Sequence, residues 1–304
     1  MKDTGGGTPG NRRVAVITGA SSGIGKAAAR QLAKQGWHVI AQGRDPERSR
    51  AAEAEICAAG TDAVVNMIRG DLSLLSDTAR MADDILAMTD RVHLLLNNAG
   101  GVRATKVITP EGNEATFAGN HLGHFLLTDR LMPCLRFAAQ GTSEGTVRII
   151  NVTSDGHKGC PGIDWDDLQL TREWNTGRSY CLAKLANILF TRELARRLHA
   201  EGIVAHALHP GTVDSNFINH ADSRMQAYIQ TLEFRSPEDA ADDLLWVATA
   251  AGNGTITGKY FERRELMDPA PAALDDMTAS RLWDESAGLV ARAQPMTMDW
   301  TRSL

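Results

Sequence analysis

Three features of this 304-residue chain predict an α/β fold, a doubly wound parallel sheet with helices on both faces. Short apolar runs alternate with stretches of helical periodicity, the order that builds parallel sheets through crossover connections. The runs are almost continuously apolar, which suits strands buried on both faces. The first of them also leads straight into a glycine-rich turn and then a helical pattern.

Strands are expected at 12–18, 38–42, 63–68, 92–97, 147–152 and 203–208, with helices at 23–35, 46–59, 73–88, 114–139 and 177–200. Asp45-Pro46 opens the second helix, an N-cap residue followed by proline at the first helical position. Asp71-Leu72-Ser73 leads into the third in the same way. After residue 208 the pattern loosens. Residues 212–235 are mixed and polar and read as a flexible loop, followed by a helix near 237–251 and a last strand at 258–262. The segment 279–293 has helical spacing through Leu282, Leu289 and Val290. Together with Trp283 it is expected to lie near the mouth of the site and exclude water, the alternative being a cap on the core.

Composition excludes several function classes. Hydrophobic content of 43% and charged content of 23% are those of an ordinary globular protein, and a net charge of −5 without a basic cluster gives no footprint for nucleic acid. Cys57, Cys134, Cys160 and Cys181 are scattered, with no CxxC pair and no histidine at zinc spacing, as in a reducing compartment. No run is long and apolar enough for a membrane span, and residues 1–11, glycine-rich and polar, read as a disordered lead-in. A cytoplasmic protein is expected.

The turn after the first strand reads TGASSGIG, with Gly19, Ser21, Ser22, Gly23, Ile24 and Gly25 between strand and helix. Strand, glycine turn and helix together present backbone N–H groups and a positive helix end to a pyrophosphate. This is the Rossmann arrangement, and it implies a dinucleotide. At the end of the second strand an NAD site usually carries an acid for the ribose 2′-OH. Here Gly43 stands in that place and Arg44 follows, which favours the 2′-phosphate of NADP(H). Asp45 is read as a helix cap.

Tyr180 and Lys184 lie four residues apart and share one helix face. Alone, the pair fits either a half-buried tyrosine beside a snorkelling lysine or a phenol made more acidic by an ammonium. The wider pattern decides. The glycine turn, NNAG (97–100), NVTS (151–154) and YCLAK (180–184) together resemble the short-chain dehydrogenase/reductase family over about residues 12–262. NHLGHFLLTDRLMP, HPGTVDSNF and RLWDESAGLV resemble its retinol-dehydrogenase-like branch, whose bacterial relatives include polyketide-tailoring ketoreductases.

The resemblance implies a single domain over 12–262 that binds the dinucleotide and carries the catalytic residues, and a C-terminal helical extension over 263–304. It implies Tyr180 as proton donor, Ser154 rather than Thr153 as hydrogen-bond partner of the substrate oxygen, Lys184 on the nicotinamide ribose, and Asn120 supporting a water. It places Asp71-Leu72 at the adenine, Asn98-Ala99-Gly100 along the adenosine side, and Pro210, Gly211 and Ser215 at the nicotinamide end. Helices 114–139 and 177–200 would be the faces of a homodimer. Lys184 is expected to lower the tyrosine pKa from its free value of about 10. Twenty-six positions separate Ser154 from Tyr180, about twice the family's shortest spacing. The insert supplies His157, Trp165 and Trp174 as candidates for a pocket wall, with structural packing the commoner role for each. The expected function is NADPH-dependent reduction of a lipophilic, polyketide-like ketone or aldehyde. The alternatives are an NAD-dependent secondary-alcohol dehydrogenase and a non-catalytic NADP(H)-binding regulator.

Overall fold

A computed structural model of the chain describes residues 12–214, 217–294 and 296. The lead-in at 1–11 and Ser215 lie outside the described residues. The strands are β1 Val14–Ile17, β2 His38–Gly43, β3 Val64–Arg69, β4 Leu94–Asn97, β5 Arg148–Val152, β6 Val204–His209, β7 Lys259–Glu262 and β8 Glu265–Met267. They form one sheet in the order β3-β2-β1-β4-β5-β6-β7-β8. Neighbours pair in parallel up to β7, and β8 runs back antiparallel along it. β8 was not expected from the sequence.

The apolar runs are continuous because alternate residues serve two cores. Val14 and Val16 join Leu95 and Ile149 on one face of the sheet. Ala15 and Ile17 join Leu94, Leu96 and Ile150 on the other. Helices α1 (Gly23–Lys34), α2 (Pro46–Cys57) and α8 (Pro237–Thr249) cover the second face. Helices α3 (Leu75–Met88), α5 (Gly123–Gln140) and α6 (Thr176–Leu198) cover the first. The Asp45 carboxylate accepts from the Arg48 amide at 2.8 Å, so it caps α2 as the Asp-Pro pair implies.

The helix expected at 114–139 is interrupted. A short α4 (Ala115–Phe117) passes into a π-turn at Ala118–Leu122 before α5 begins. The Asn120 side-chain amide donates to the Thr116 carbonyl at 2.7 Å, the acceptor an α-helix would reserve for Asn120's own N–H. That competition accounts for the wider turn. Residues 212–235 are not featureless either. Asp222 caps a helix α7 (Ser223–Ile229), accepting from the Met225 amide at 2.8 Å, and Val213 bridges Arg235 to close the base.

The C-terminal segment forms α9 (Asp276–Ala293), which packs on α6 and α3. Trp283 is buried with its ring 4.9 Å from Phe125 and 5.7 Å from Phe190, and the Arg197 guanidinium lies 4.6 Å from it. The expectation that this stretch guards the site entrance is therefore corrected: it caps the core. Trp283→Ala should cost about 3–5 kcal/mol, the range for emptying a large aromatic site. Denaturant unfolding checks this, and a loss below about 1 kcal/mol would contradict the packing. Among the described residues, no helix is long and apolar enough to cross a membrane.

Candidate active site

β1 lies between β2 and β4, so the chain winds outward in both directions from this point. Ligands of open α/β sheets bind beyond the carboxyl ends of the strands at such a switch. A cleft of about 1460 Å³ lies there, lined by the glycine turn, the segments after β2 to β6, the first turns of α6 and the loop at 212–234.

Gly19 and Gly23 adopt left-handed backbone conformations, with φ of +69° and +53°. Ser22 precedes α1 without capping it through its side chain, leaving the first amides of that helix to a ligand. Gly25 plays a different part from the one expected. It is absent from the cleft wall, and a Cβ there would lie 2.5 Å from the Gly19 carbonyl oxygen and 2.6 Å from Asn98 Nδ2. Its role is close packing of helix against strand. Thr18 locks the turn to β4: its hydroxyl accepts from the Asn98 and Ala99 amides at 2.9 Å, and its carbonyl accepts from Asn98 Nδ2 at 2.8 Å.

Gly43 closes β2 in a tight place. A Cβ there would meet Ser49 Oγ and come within 2.8 Å of Ser21 Cβ. Any side chain at that position would require Ser49 and Ser21 to shift. Arg44 follows, half exposed on the cleft, 3.6 Å from Asp71. Asp71 itself accepts from the Ser73 amide and hydroxyl, and Leu72 lines the same wall.

Ser154, Tyr180, Lys184 and Asn120 all line one cleft. Lys184 Nζ donates to the Val152 carbonyl at 3.2 Å and lies 5.5 Å from the centre of the Tyr180 ring. A Cβ on Gly100 would lie 2.8 Å from Asn120 Oδ1 and 3.0 Å from Lys184 Nζ, so these two groups flank the same glycine. Asn120 is fixed from two sides, accepting from the Gly101 amide at 3.1 Å and donating to the Gly101 carbonyl at 2.8 Å. Ser154 Oγ accepts from the Gly156 amide at 3.0 Å and donates to Asp155 at 3.1 Å. The Thr153 hydroxyl turns away and donates to the Lys184 carbonyl at 2.7 Å. Of the two hydroxyls, Ser154 is the one left to a substrate.

The electrostatics differ from the sequence-based expectation. Burial pushes the Tyr180 phenol above its ordinary value, a hydrogen bond with Ser154 works against this, and the Asp155 charge adds to the rise. Lys184 is not among the causes acting on the phenol. Burial pulls Lys184 itself down to about 8. Asp155 sits at the mouth, 56% exposed at its side chain and 3.7 Å from His209 Nε2. Its position directly after the serine thus places a competitor for the Ser154 proton, which a bound carbonyl oxygen must displace.

Pro210 and Gly211 line the far end, and Pro210 O accepts from Arg235 Nη1 at 2.7 Å. Arg235 in turn pairs with the buried Asp243 at 2.6 Å, which pins the base of the loop. Three aromatic candidates from the insert are not on the cleft wall. His157 is buried, bonded to the Ser154 carbonyl at 2.7 Å and accepting from the Ala270 amide at 3.0 Å. Trp165 packs under Arg281, and the Trp174 indole donates to Glu114 at 3.1 Å. The apolar wall comes instead from the loop, through Phe217, Met225, Tyr228, Ile229, Leu232 and Phe234. Phe217 stands edge-on to Tyr180 at 5.1 Å. Apolar residues in a polar, turn-rich stretch were the signal for that wall.

Known proteins share both the sequence and the fold. The family model described as short chain dehydrogenase matches residues 13–165. Human retinol dehydrogenase 13 is 38% identical, with 97% of this chain and 91% of that protein covered. The crystal structure of an uncharacterized protein from Mycobacterium Paratuberculosis superposes with a TM-score of 0.71 at 31% identity, covering 91% of this chain and 93% of that one. The Pseudomonas aeruginosa RhlG/NADP active-site complex superposes with a TM-score of 0.65 at 25% identity, covering 86% and 96%. The chain belongs to the short-chain dehydrogenase family, oxidoreductases of alcohol and carbonyl groups.

Proposed function

We propose that this protein is an NADP(H)-dependent reductase of lipophilic ketones or aldehydes. The meeting of Ser154, Tyr180, Lys184 and Asn120 on one cleft with an apolar loop wall carries the proposal. The uncapped start of α1 and the left-handed Gly19 and Gly23 fit a dinucleotide's phosphates. Bound there, the nicotinamide cofactor supplies the hydride. The chain's own groups do the rest. Ser154 turns its proton from Asp155 to the carbonyl oxygen and stabilises the charge that develops on it. Tyr180 gives that oxygen its proton. Lys184 would hold a ribose hydroxyl of the bound cofactor, and Asn120 would support a water that connects the lysine to solvent. Phe217 and its neighbours on the loop exclude water. The preference for NADP(H) is supported by Gly43, which puts no acid at the end of β2, and by Arg44, half exposed on the cleft. Relatives named retinol dehydrogenase agree with a lipophilic substrate. Four unpaired thiols agree with the cytoplasm.

The test is NADPH oxidation against a panel of aromatic, polyketide-like and retinoid carbonyls. Turnover with at least one supports the proposal. Tight NADPH binding with none turned over would favour the non-catalytic regulator. Cofactor choice has its own test. Arg44→Ala should weaken NADPH by about one to two decades, the weight of a charge-assisted contact, and leave NADH nearly unchanged. Equal losses for both cofactors, measured by fluorescence titration, would mean that Arg44 does not read the 2′-phosphate.

A further inference from the structure

Glu114 is a carboxylate with no exposed surface, on the chain just before α4. Burying such a group is costly unless its oxygens are satisfied. Here each oxygen accepts two hydrogen bonds. Oε1 takes the Thr116 amide at 3.0 Å and the Trp174 indole at 3.1 Å. Oε2 takes the Phe117 amide at 2.8 Å and the Ser179 hydroxyl at 2.9 Å. Two donors belong to the start of α4, where the helix end favours a negative charge. The third belongs to the insert and the fourth to the first turn of α6. Among the described residues, no ion pair includes Glu114.

The bonded neighbours lie beside the site residues. Ser179 directly precedes Tyr180, and α4 runs into the π-turn that carries Asn120. We propose that Glu114 is a positioning residue: through Ser179 it fixes the helix bearing Tyr180 and Lys184 against the segment bearing Asn120. The proposal rests on the roles given above to those three residues. A cap alone would need only the two amides. The bond to Ser179 ties the cap to the other helix, and a misplacement of about 1 Å at a reacting group can cost about 100-fold in rate.

Two single-group deletions separate positioning from general support. Ser179→Ala removes the link to α6, and Trp174→Phe removes the link to the insert while keeping an aromatic ring. Ser179→Ala is expected to lower kcat about tenfold and to shift the pH profile of kcat. Both variants lose one hydrogen bond to Glu114 and are expected to lower the unfolding midpoint by similar amounts, but Trp174→Phe is expected to hold kcat within about twofold. Equal kcat losses in both variants, or a wild-type kcat and pH profile in Ser179→Ala, would overturn the proposal. Tyr180→Phe, run beside them, tells the two levels apart. If it keeps turnover, the assigned chemistry fails and the proposal falls with it. If it is inactive while Ser179→Ala behaves as wild type, the proposal alone fails.

Discussion

Tyr180→Phe is expected to reduce carbonyl turnover by about 10²–10⁴-fold, the usual contribution of a general acid, while NADPH still binds. The ring stays in place because its packing does not depend on the hydroxyl. Phe217 meets it edge-on at 5.1 Å, and the Lys184 ammonium lies 5.5 Å from its centre. The hydroxyl goes, with its transferable proton and its hydrogen bond with Ser154. The direction of the pKa shift adds a second expectation. Burial and the Asp155 charge both raise the phenol, so the protein's own groups keep it protonated at neutral pH. A protonated phenol serves reduction, in which it is the donor, better than oxidation, in which a base is needed. Reduction should therefore outpace oxidation near pH 7, and the oxidative rate should rise with pH. Steady-state rates in both directions check this, and near-normal turnover in the phenylalanine variant would remove Tyr180 from the mechanism.

Local patterns made much of the fold legible in the sequence. The strands at β1, β2, β4, β5 and β6 could be read because both faces of each are buried, so apolar residues dominate each run and do not alternate with polar ones. Asp45-Pro46 marked α2 because capping is a contact between near neighbours. The pair Tyr180 and Lys184 could be placed on one face from spacing alone. Other features depend on contacts far apart in the chain. The π-turn comes from a side chain competing with the backbone, which the periodicity of 114–139 conceals. Trp283 looked like a lid residue because its partners, Phe125 and Phe190, are distant in sequence. Gly25 matched a phosphate-binding pattern, yet its neighbours Gly19 and Asn98 make it a packing glycine. Glu114 gave no signal at all, since its donors Trp174 and Ser179 come from another part of the chain.

Lys184→Met should separate activity from stability in opposite directions. Lys184 is buried, and its pKa falls from 10.5 to about 8 through desolvation. Below pH 8 both the folded and unfolded chains carry the proton, and the folded chain bears the full cost of a buried ammonium, roughly 3 kcal/mol. Between about pH 8 and 10.5 the unfolded chain binds the proton and the folded chain does not. Stability therefore rises with pH across that window, and the cost is relieved. Methionine fills nearly the same space without charge. The Val152 carbonyl that accepts from Lys184 also accepts from Asn187 Nδ2 at 3.3 Å, so it keeps a partner. The cofactor-free variant should melt several degrees above the wild type at pH 7, and the gap should narrow by pH 9.5. Turnover should fall by about 10²-fold or more, because the group that would hold the nicotinamide ribose disappears and the cofactor loses its placement. A variant that melts lower than the wild type at pH 7, or a gap that stays constant with pH, would mean that Lys184 is not held charged at a cost.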